Sequence, residues 1–533
     1  MHRTVKRLAV ATAALLPIVL WASTALAAAD STGSNIQGPQ SLDKVGIGLN
    51  LLWIVIGAVL VIFMQAGFAL VETGFCRAKH AAHVVMTNFA IFGLGFVAFF
   101  FVGYALMFGG WSLPGVFGYD KPIGSALIGS GSWVFLWKAP LALSGHGYDV
   151  AVMAMFLYMV AFMDTTATIP TGGMAERWKF SSFCWWGIFC GALYYPLFGA
   201  FTWGGGWLSQ LGNSLHLGFG YVDFAGSGVV HAMGGMAALA GAKVLGPRIG
   251  KFGADGKPRS IPGHHIPMAV LGCFILLFGW FGFNAASTFA ATDLRFAVVA
   301  ANTAIAAAFG ATVAMIYVWR RTGKPDPGML VNGMLAGLVA ITAPCAFVQP
   351  WAAAVIGSLA AVFVIEAVWF VERKLKIDDP VGAFAVHGVN GIFGVLAVGI
   401  FADGSYGAGW NLTTGVSGGV KGILYGGSGW GQLGAQALGV ATILVMGVVA
   451  YAFFKVQDKL TKGGIRSLEA DEIAGLDVHE MGALAYPEFE MAIEAADPEV
   501  GRRHAEGGGR GHFEHFGADG HGLDSDGKEK AGV

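Results

Sequence analysis

The sequence predicts an all-α membrane protein with eleven transmembrane helices: two five-helix inverted repeats plus an eleventh helix. Three observations carry that prediction. The 533 residues are 55% hydrophobic and only 12% charged, with a mean hydropathy of +0.63, against about 25% charge in soluble domains. Apolar runs of spanning length follow one another along most of the chain. One polar pattern occurs twice inside those runs. The formal net charge of −1 and a pI near 6.9 argue against a nucleic-acid partner. The 82 glycines read as close helix packing rather than linker. Cys76, Cys184, Cys190, Cys273 and Cys345 show no CxxC spacing, so free thiols are expected, with neither a disulfide framework nor a metal site.

Residues 1–27 read as a secretory signal peptide. Arg3, Lys6 and Arg7 open it, an apolar stretch broken by Pro17 follows, and Ala25-Leu26-Ala27 offers a cleavage site. Spans are predicted near 46–74, 81–109, 148–173, 181–203, 223–245, 267–289, 296–319, 328–346, 351–371, 380–401 and 433–455. Basic residues gather in alternate connections, from Arg77 and Lys79 after span one to Lys455, Lys459 and Lys462 after span eleven. The positive-inside rule makes these connections cytoplasmic. The expected topology in the inner (plasma) membrane therefore has the N-terminus outside and the C-terminus in the cytoplasm. The membrane domain occupies 46–456. Residues 457–498 read as a polar, acidic cytoplasmic segment, and 499–533, rich in Gly and His, as disordered.

The doubled pattern is Asp223…Gly226…Val230-His231…Gly235 and Asp379…Gly382…Val386-His387…Gly391. Each His is expected about 12 Å inside its helix, near the middle of a hydrocarbon core about 30 Å thick. The two copies lie in spans five and ten. Five is odd, so the second copy is inverted relative to the first. Inverted repeats are a transporter architecture, with the site near the midplane. Phe63…Gly67-Phe68 of span one echoes Phe278…Gly282-Phe283 of span six. Intramembrane imidazoles read in three ways: core histidines satisfied by carbonyls, haem ligands of an oxidoreductase, or a pair sharing one proton beside a path for a small polar solute. Asp223 and Asp379 open their helices and are expected to cap them; Asp223 can also contribute indirectly to a cation site. No nucleophile, base and orienter come together, so no enzyme and no cofactor are expected.

Several ordered motifs resemble the ammonium transporter family (Amt/Mep/Rh). They are Phe-Ala-Leu-Val-Glu-Thr-Gly (68–74), Met-Ala-Glu-Arg (174–177), Trp-Gly-Gly-Gly (203–206), Asp-Phe-Ala-Gly…Val-Val-His (223–231), Trp-Phe-Gly-Phe-Asn-Ala…Ser (280–287) and Asp-Asp…Val-His-Gly-Val (378–389). The resemblance runs from about 46 to 486 and points to the ammonium (Amt) branch, bacterial type. It implies a homotrimer in membrane lipid with one central pore per subunit, carrying ammonium or methylammonium. It further implies that Trp203, Phe162 and Ser287 recruit NH4+, that Phe162 and Phe283 form a gate, and that His231 and His387 line the pore below. The physics agrees: an indole face attracts a cation by about 0.5–2 kcal/mol, and two rings in series make a hydrated ion shed its water. An ammonium sensor with little flux and an Rh-type gas channel remain as alternatives, and Trp203 with Ser287 favours the Amt branch over the Rh one.

One segment departs from the family pattern. Asp164 follows the gate Phe162 by two residues, about 200° around a helix, so it is expected to point away from the pore, into a buried or subunit-interface position. Thr165, Thr166 and Thr168 are expected to re-bond a helix interrupted by Pro170. The tail Gly464-Ile-Arg466…Gly475-Leu476-Asp477 also resembles the family's regulatory segment. That implies contact with a neighbouring subunit's cytoplasmic pore mouth and docking of a PII-type nitrogen-regulatory protein.

Overall fold

In hydrocarbon only a helix satisfies every backbone N–H and C=O within one segment, and the long apolar runs fold accordingly. The computed structural model describes residues 45–487 apart from 113 and 120; the predicted leader 1–27 and tail 499–533 lie outside the described residues. Among the described residues, ten helices are long and apolar enough to span a membrane. They are Val45–Phe75, Ala78–Phe108, Val150–Gly173, Phe180–Phe201, Ser227–Leu245, Ile266–Thr288, Arg295–Thr322, Pro350–Leu375, Phe384–Phe401 and Gly429–Leu460. The remaining predicted span, the eighth, is the shorter helix Pro327–Ile341.

Span eight is shorter than predicted for a physical reason. Beyond Ile341 its backbone leaves the helix and bonds to the approach of span five. The Phe224 and Ala225 amides donate to the Ala343 and Thr342 carbonyls at 3.2 and 3.1 Å. The Ser227 hydroxyl donates to Val339 O and accepts from the Ala343 amide, both at 2.7 Å. Irregular backbone is tolerated at membrane depth where protein buries it, and residues 342–348 are buried throughout.

Contacts between connections sort the chain into two faces. On one, Glu176 (after span three) binds Arg77 (after span one) at 2.5 Å and Arg248 (after span five) at 2.8 Å, and Arg248 binds Asp378 (after span nine) at 2.8 Å. Burial works against the Asp378 carboxylate, but Arg177 and Arg248 hold it well below the usual carboxylate range. The segment 464–481 joins this face, which we term the tail face. The opposite face carries Trp203, Asp223, Ser287 and a β-hairpin. The hairpin pairs Ser125–Ser130 with Trp133–Lys138 and adds two short strands to a fold read as all-α. Trp133 stacks on Trp207 at 6.2 Å, and a side chain at Gly110 would strike Trp137.

Spans five and ten start from opposite faces and cross in the interior, as inverted repeats must. The repeated glycines make the crossing. A Cβ at Gly235 would lie 2.1 Å from the Gly388 nitrogen, and one at Gly391 would lie 2.4 Å from Ser227 O and 2.7 Å from Ala232 N. Spans one and six also pack together, with Phe63 edge-on to Phe278 at 6.5 Å. A Cβ on Gly67 or Gly282 would collide with the other helix.

Span three does not break at Pro170. The helix runs from Val150 to Gly173, and Pro170 sits in its last turn, where it removes one N–H bond but leaves little helix beyond it to redirect. Thr165 and Thr166 donate one turn back, to Ala161 O and Phe162 O at 3.0 and 3.2 Å. Thr168 donates instead to Asn88 Oδ1 at 3.1 Å, and the Trp186 indole reaches Ala167 O at 2.8 Å. Asp164 is buried within its own chain, not at the outer surface.

Candidate functional site

Asp223 sits before its helix, and its two carboxylate oxygens accept from the amides of Gly226, Ser227, Gly228 and Val229 at 2.8–3.0 Å. Asp379 does the same for Ala383 and Phe384 at 2.9 and 2.8 Å. Between cap and helix stand Gly226 and Gly382, with φ +111° and +77°. That region admits glycine freely and other residues at a cost, which accounts for the glycine in both copies. The helices proper begin at Ser227 and Phe384, each with a π-helical turn. His231 is therefore the fifth residue of its helix and His387 the fourth, roughly 5–6 Å from the start rather than 12 Å. They reach the interior because each half-helix itself begins inside the protein.

The two imidazoles meet with Nδ1 atoms 3.2 Å apart and ring centres 5.2 Å apart. At that separation one Nδ1 can donate to the other, according to tautomer, which leaves the Nε2 atoms of both rings for other partners. His231 is 0% exposed and His387 6%. His231 packs against both Trp280 and Phe283, with centroids at 5.1 and 5.3 Å, and these two rings also touch each other at 5.8 Å. The Trp280 indole is fixed by Thr342 Oγ1 at 2.9 Å. On the other side Phe68 lies 6.2 Å from His387.

Toward the Trp203 face the pair is closed. Phe162 and Phe283 stack at 4.0 Å and 16°, and both are fully buried. Trp203 stands edge-on to Phe162 at 5.9 Å, its indole N–H donating to Asp223 O at 2.8 Å. The cap of span five thus also holds the indole in place. The glycines after Trp203 are needed for packing: a Cβ on Gly204 would lie 2.1 Å from Met107 O, and one on Gly206 2.3 Å from Ala200 O. The Ser287 hydroxyl donates to Phe283 O at 2.8 Å and has the Tyr158 hydroxyl at 3.0 Å, and a hydroxyl oxygen with two lone pairs still has one with which to accept.

Sequence reasoning missed Tyr158, Trp280, Phe68 and Glu72 as neighbours of this path. The Tyr158 hydroxyl lies 3.0 Å from Ser287 Oγ and from the carbonyls of Gly282 and Phe283, and its ring lies 4.6 Å from Phe162. It ties the gate of span three to the end of span six. Glu72 carried a visible signal, a carboxylate inside the apolar run of span one. Toward the tail face, Glu72 lines a cavity with His387, Phe68, Leu276, Asn332 and Val381.

The expected regulatory residues dock on span two of their own chain. Asp477 accepts from the amides of Ala82 and His83 at 3.0 and 2.9 Å, capping that helix. The Leu476 amide donates to His80 Nδ1 at 3.2 Å, and a Cβ on Gly475 would strike Lys79 O at 2.5 Å. Arg466 binds Glu472 at 2.7 Å, and Glu472 accepts from the Ile249 amide at 2.7 Å.

Residues 52–486 match the Ammonium Transporter Family. The chain is 43% identical over 502 residues to Ammonium transporter Amt2 of Archaeoglobus fulgidus, covering 93% of this chain and 98% of that one. It is 38% identical over 480 residues to Ammonium transporter Amt1 of Haloferax mediterranei, covering 87% and 84%. Among solved structures it resembles a Sensor Amt Protein, with TM-score 0.71 and 34% identity over 82% of this chain and 100% of that one. It also resembles Candida albicans Mep2, with TM-score 0.66 and 28% identity over 81% and 90%.

Proposed function

The chain belongs to the ammonium transporter family and is a multi-pass membrane ammonium transporter, not an enzyme; from that premise we propose how it moves ammonium. NH4+ is recruited at Trp203, Phe162 and Ser287, the indole face attracting the cation and the Ser287 oxygen accepting a hydrogen bond. At the inner side of the ring pair Phe162–Phe283 the cation gives up a proton to His231, which packs against Phe283, and NH3 passes along the His231–His387 pair and on toward the tail face. Hydrated K+ and Na+ are refused because shedding their water at two stacked rings costs far more than it costs a neutral molecule. The observation that carries this reading is the unbroken file of Trp203, Phe162, Phe283, His231 and His387, each in contact with the next.

The Trp203 face is assigned to the outside and the tail face, where basic connections converge, to the cytoplasm of the plasma membrane. The two sequence relatives reported above, both named Amt, are archaeal, so the branch assigned is Amt without a bacterial subset. We assign a homotrimer by the same membership, residues 1–27 as a signal peptide, and 457–498 as a regulatory segment that meets a PII-type protein at the cytoplasmic face. In the expected outcome, His231→Ala or His387→Ala abolishes methylammonium uptake in cells lacking other ammonium carriers, with the protein still at normal level in the membrane. Full uptake by both variants would overturn the twin-histidine passage. A second reading, a sensor with little flux, draws on the likeness to the Sensor Amt Protein. Purified protein that binds ammonium but gives no flux in proteoliposomes would favour it.

A further inference from the structure

The inverted repeat gives Ser287 a counterpart. Ser287 lies four residues after Phe283 in span six; Glu72 lies four residues after Phe68 in span one. The match Phe63…Gly67-Phe68 to Phe278…Gly282-Phe283 sets that register, and the helices carrying both pack together. A hydroxyl on the Trp203 side of the histidines is thus answered by a carboxylate on the tail side. Glu72 is buried and lines the same cavity as His387, with room for roughly one water molecule. That cavity shares Asn332 and Val381 with a wider vestibule open at the tail face.

The surroundings of Glu72 suit both of its protonation states. Asn88 Nδ2 donates to Oε2 at 2.8 Å, and the Thr171 hydroxyl lies 2.8 and 3.0 Å from the two oxygens. Thr171 also meets the Thr168 carbonyl. An ionised Glu72 accepts from Asn88 and Thr171. A protonated Glu72 donates to the Thr171 oxygen while Thr171 donates to Thr168 O. The same neighbours serve either way, because a hydroxyl both gives and takes. A carboxylate that served only to tie helices together would not need a cavity shared with His387.

We propose that Glu72 carries the ammonium proton out of the histidine pair to the tail face. This rests on the twin-histidine reading above. An N–H bond of NH4+ breaks as an N–H bond forms at His231 Nε2. The Nδ1 proton of His231 passes to His387 Nδ1. The Nε2 proton of His387 passes through one water to a Glu72 oxygen, where an O–H bond forms. That bond then breaks to water in the vestibule, where H+ and NH3 recombine as NH4+. Intramembrane carboxylates and histidines in series are the usual parts of such a relay.

The test uses the full chain in proteoliposomes under an inward ammonium gradient, with charge movement recorded on a supported membrane and ammonium flux measured in parallel. For Glu72→Gln the charge moved per ammonium is expected to fall by roughly tenfold or more, while neutral flux continues and the vesicle interior turns alkaline. Glu72→Asp is expected to restore part of the ratio. A structural tie would lower flux and charge together and leave their ratio alone, so an unchanged ratio in Glu72→Gln overturns the proposal. A wild-type protein that conducts ammonium without charge movement overturns it too. A wild-type protein with no ammonium flux overturns the transport reading itself. If Glu72→Gln does not fold, Glu72→Asp and Thr171→Val decide, and a wild-type ratio in both overturns the proposal.

Discussion

The two halves of the path, one on each side of the histidine pair, are built on related backbone and furnished differently. Phe283 corresponds to Phe68, Trp280 to Gln65 and Ser287 to Glu72. On the Trp203 side, Phe283 is paired with Phe162 at 4.0 Å, and Trp280 backs His231. On the tail side Phe68, among the described residues, stands without such a stack, and Gln65 joins a polar network. It donates to Thr168 Oγ1 at 3.0 Å and meets the Asn88 carbonyl. The repeat supplies the crossing and places the imidazoles; the side chains around them give the path its direction. In the proposed passage, sorting belongs to the aromatic half and the handling of charge to the half that holds Glu72.

The largest effect should come from removing what the halves share. Gly235→Val or Gly391→Val drives a side chain into backbone less than 2.5 Å away. Overpacking of flexible side chains alone costs about 1–3 kcal/mol, and backbone yields less. Recovery of monodisperse protein and its thermal unfolding should both collapse, whereas Gly93→Ala, which meets nothing within 4 Å, should leave them unchanged. A stable Gly235→Val protein would break the idea that the crossing is common to both halves.

Next comes the gate. Phe162→Ala should admit K+ in a vesicle flux assay, lowering the preference for ammonium by roughly tenfold or more through relief of the dehydration barrier. Phe68→Ala should change K+ passage little, since among the described residues no second ring stacks on Phe68. Equal leaks from the two variants would erase the contrast between the halves. The smallest effect belongs to recruitment. Trp203→Leu keeps bulk but loses the indole face, and the apparent affinity for ammonium should weaken by roughly 2- to 30-fold, matching about 0.5–2 kcal/mol. An unchanged affinity would move the recruitment site elsewhere.

Much of this arrangement was legible in residues alone. The inversion followed from an odd count of spans and a repeated Asp-Gly-Val-His-Gly spacing, and the face on which connections meet followed from Lys and Arg. Three things were not legible. The π-helical turns at Ser227–Ala232 and Phe384–Val389 shift where the helices begin, and hydrophobicity does not register a change of hydrogen-bond step. The early end of span eight depends on bonds from Phe224, Ala225 and Ser227, far away in sequence. Tyr158 and Glu72 sit in runs whose apolar average hides a single polar group. Their meaning came from which carbonyl or cavity each one faces.

The glycine crossing also bears on how fast and by what motion ammonium moves. Many inverted-repeat carriers rock one repeat against the other around a fixed site. Here the two half-helices touch backbone to backbone at Gly235–Gly388 and Gly391–Ser227, next to the imidazoles, with no side chains between them to repack. The repeats are pinned where a rocking carrier would need to slide. In the proposed passage, transit depends on local steps, a ring turning or a proton shifting, rather than on the slow collective motions that limit alternating carriers.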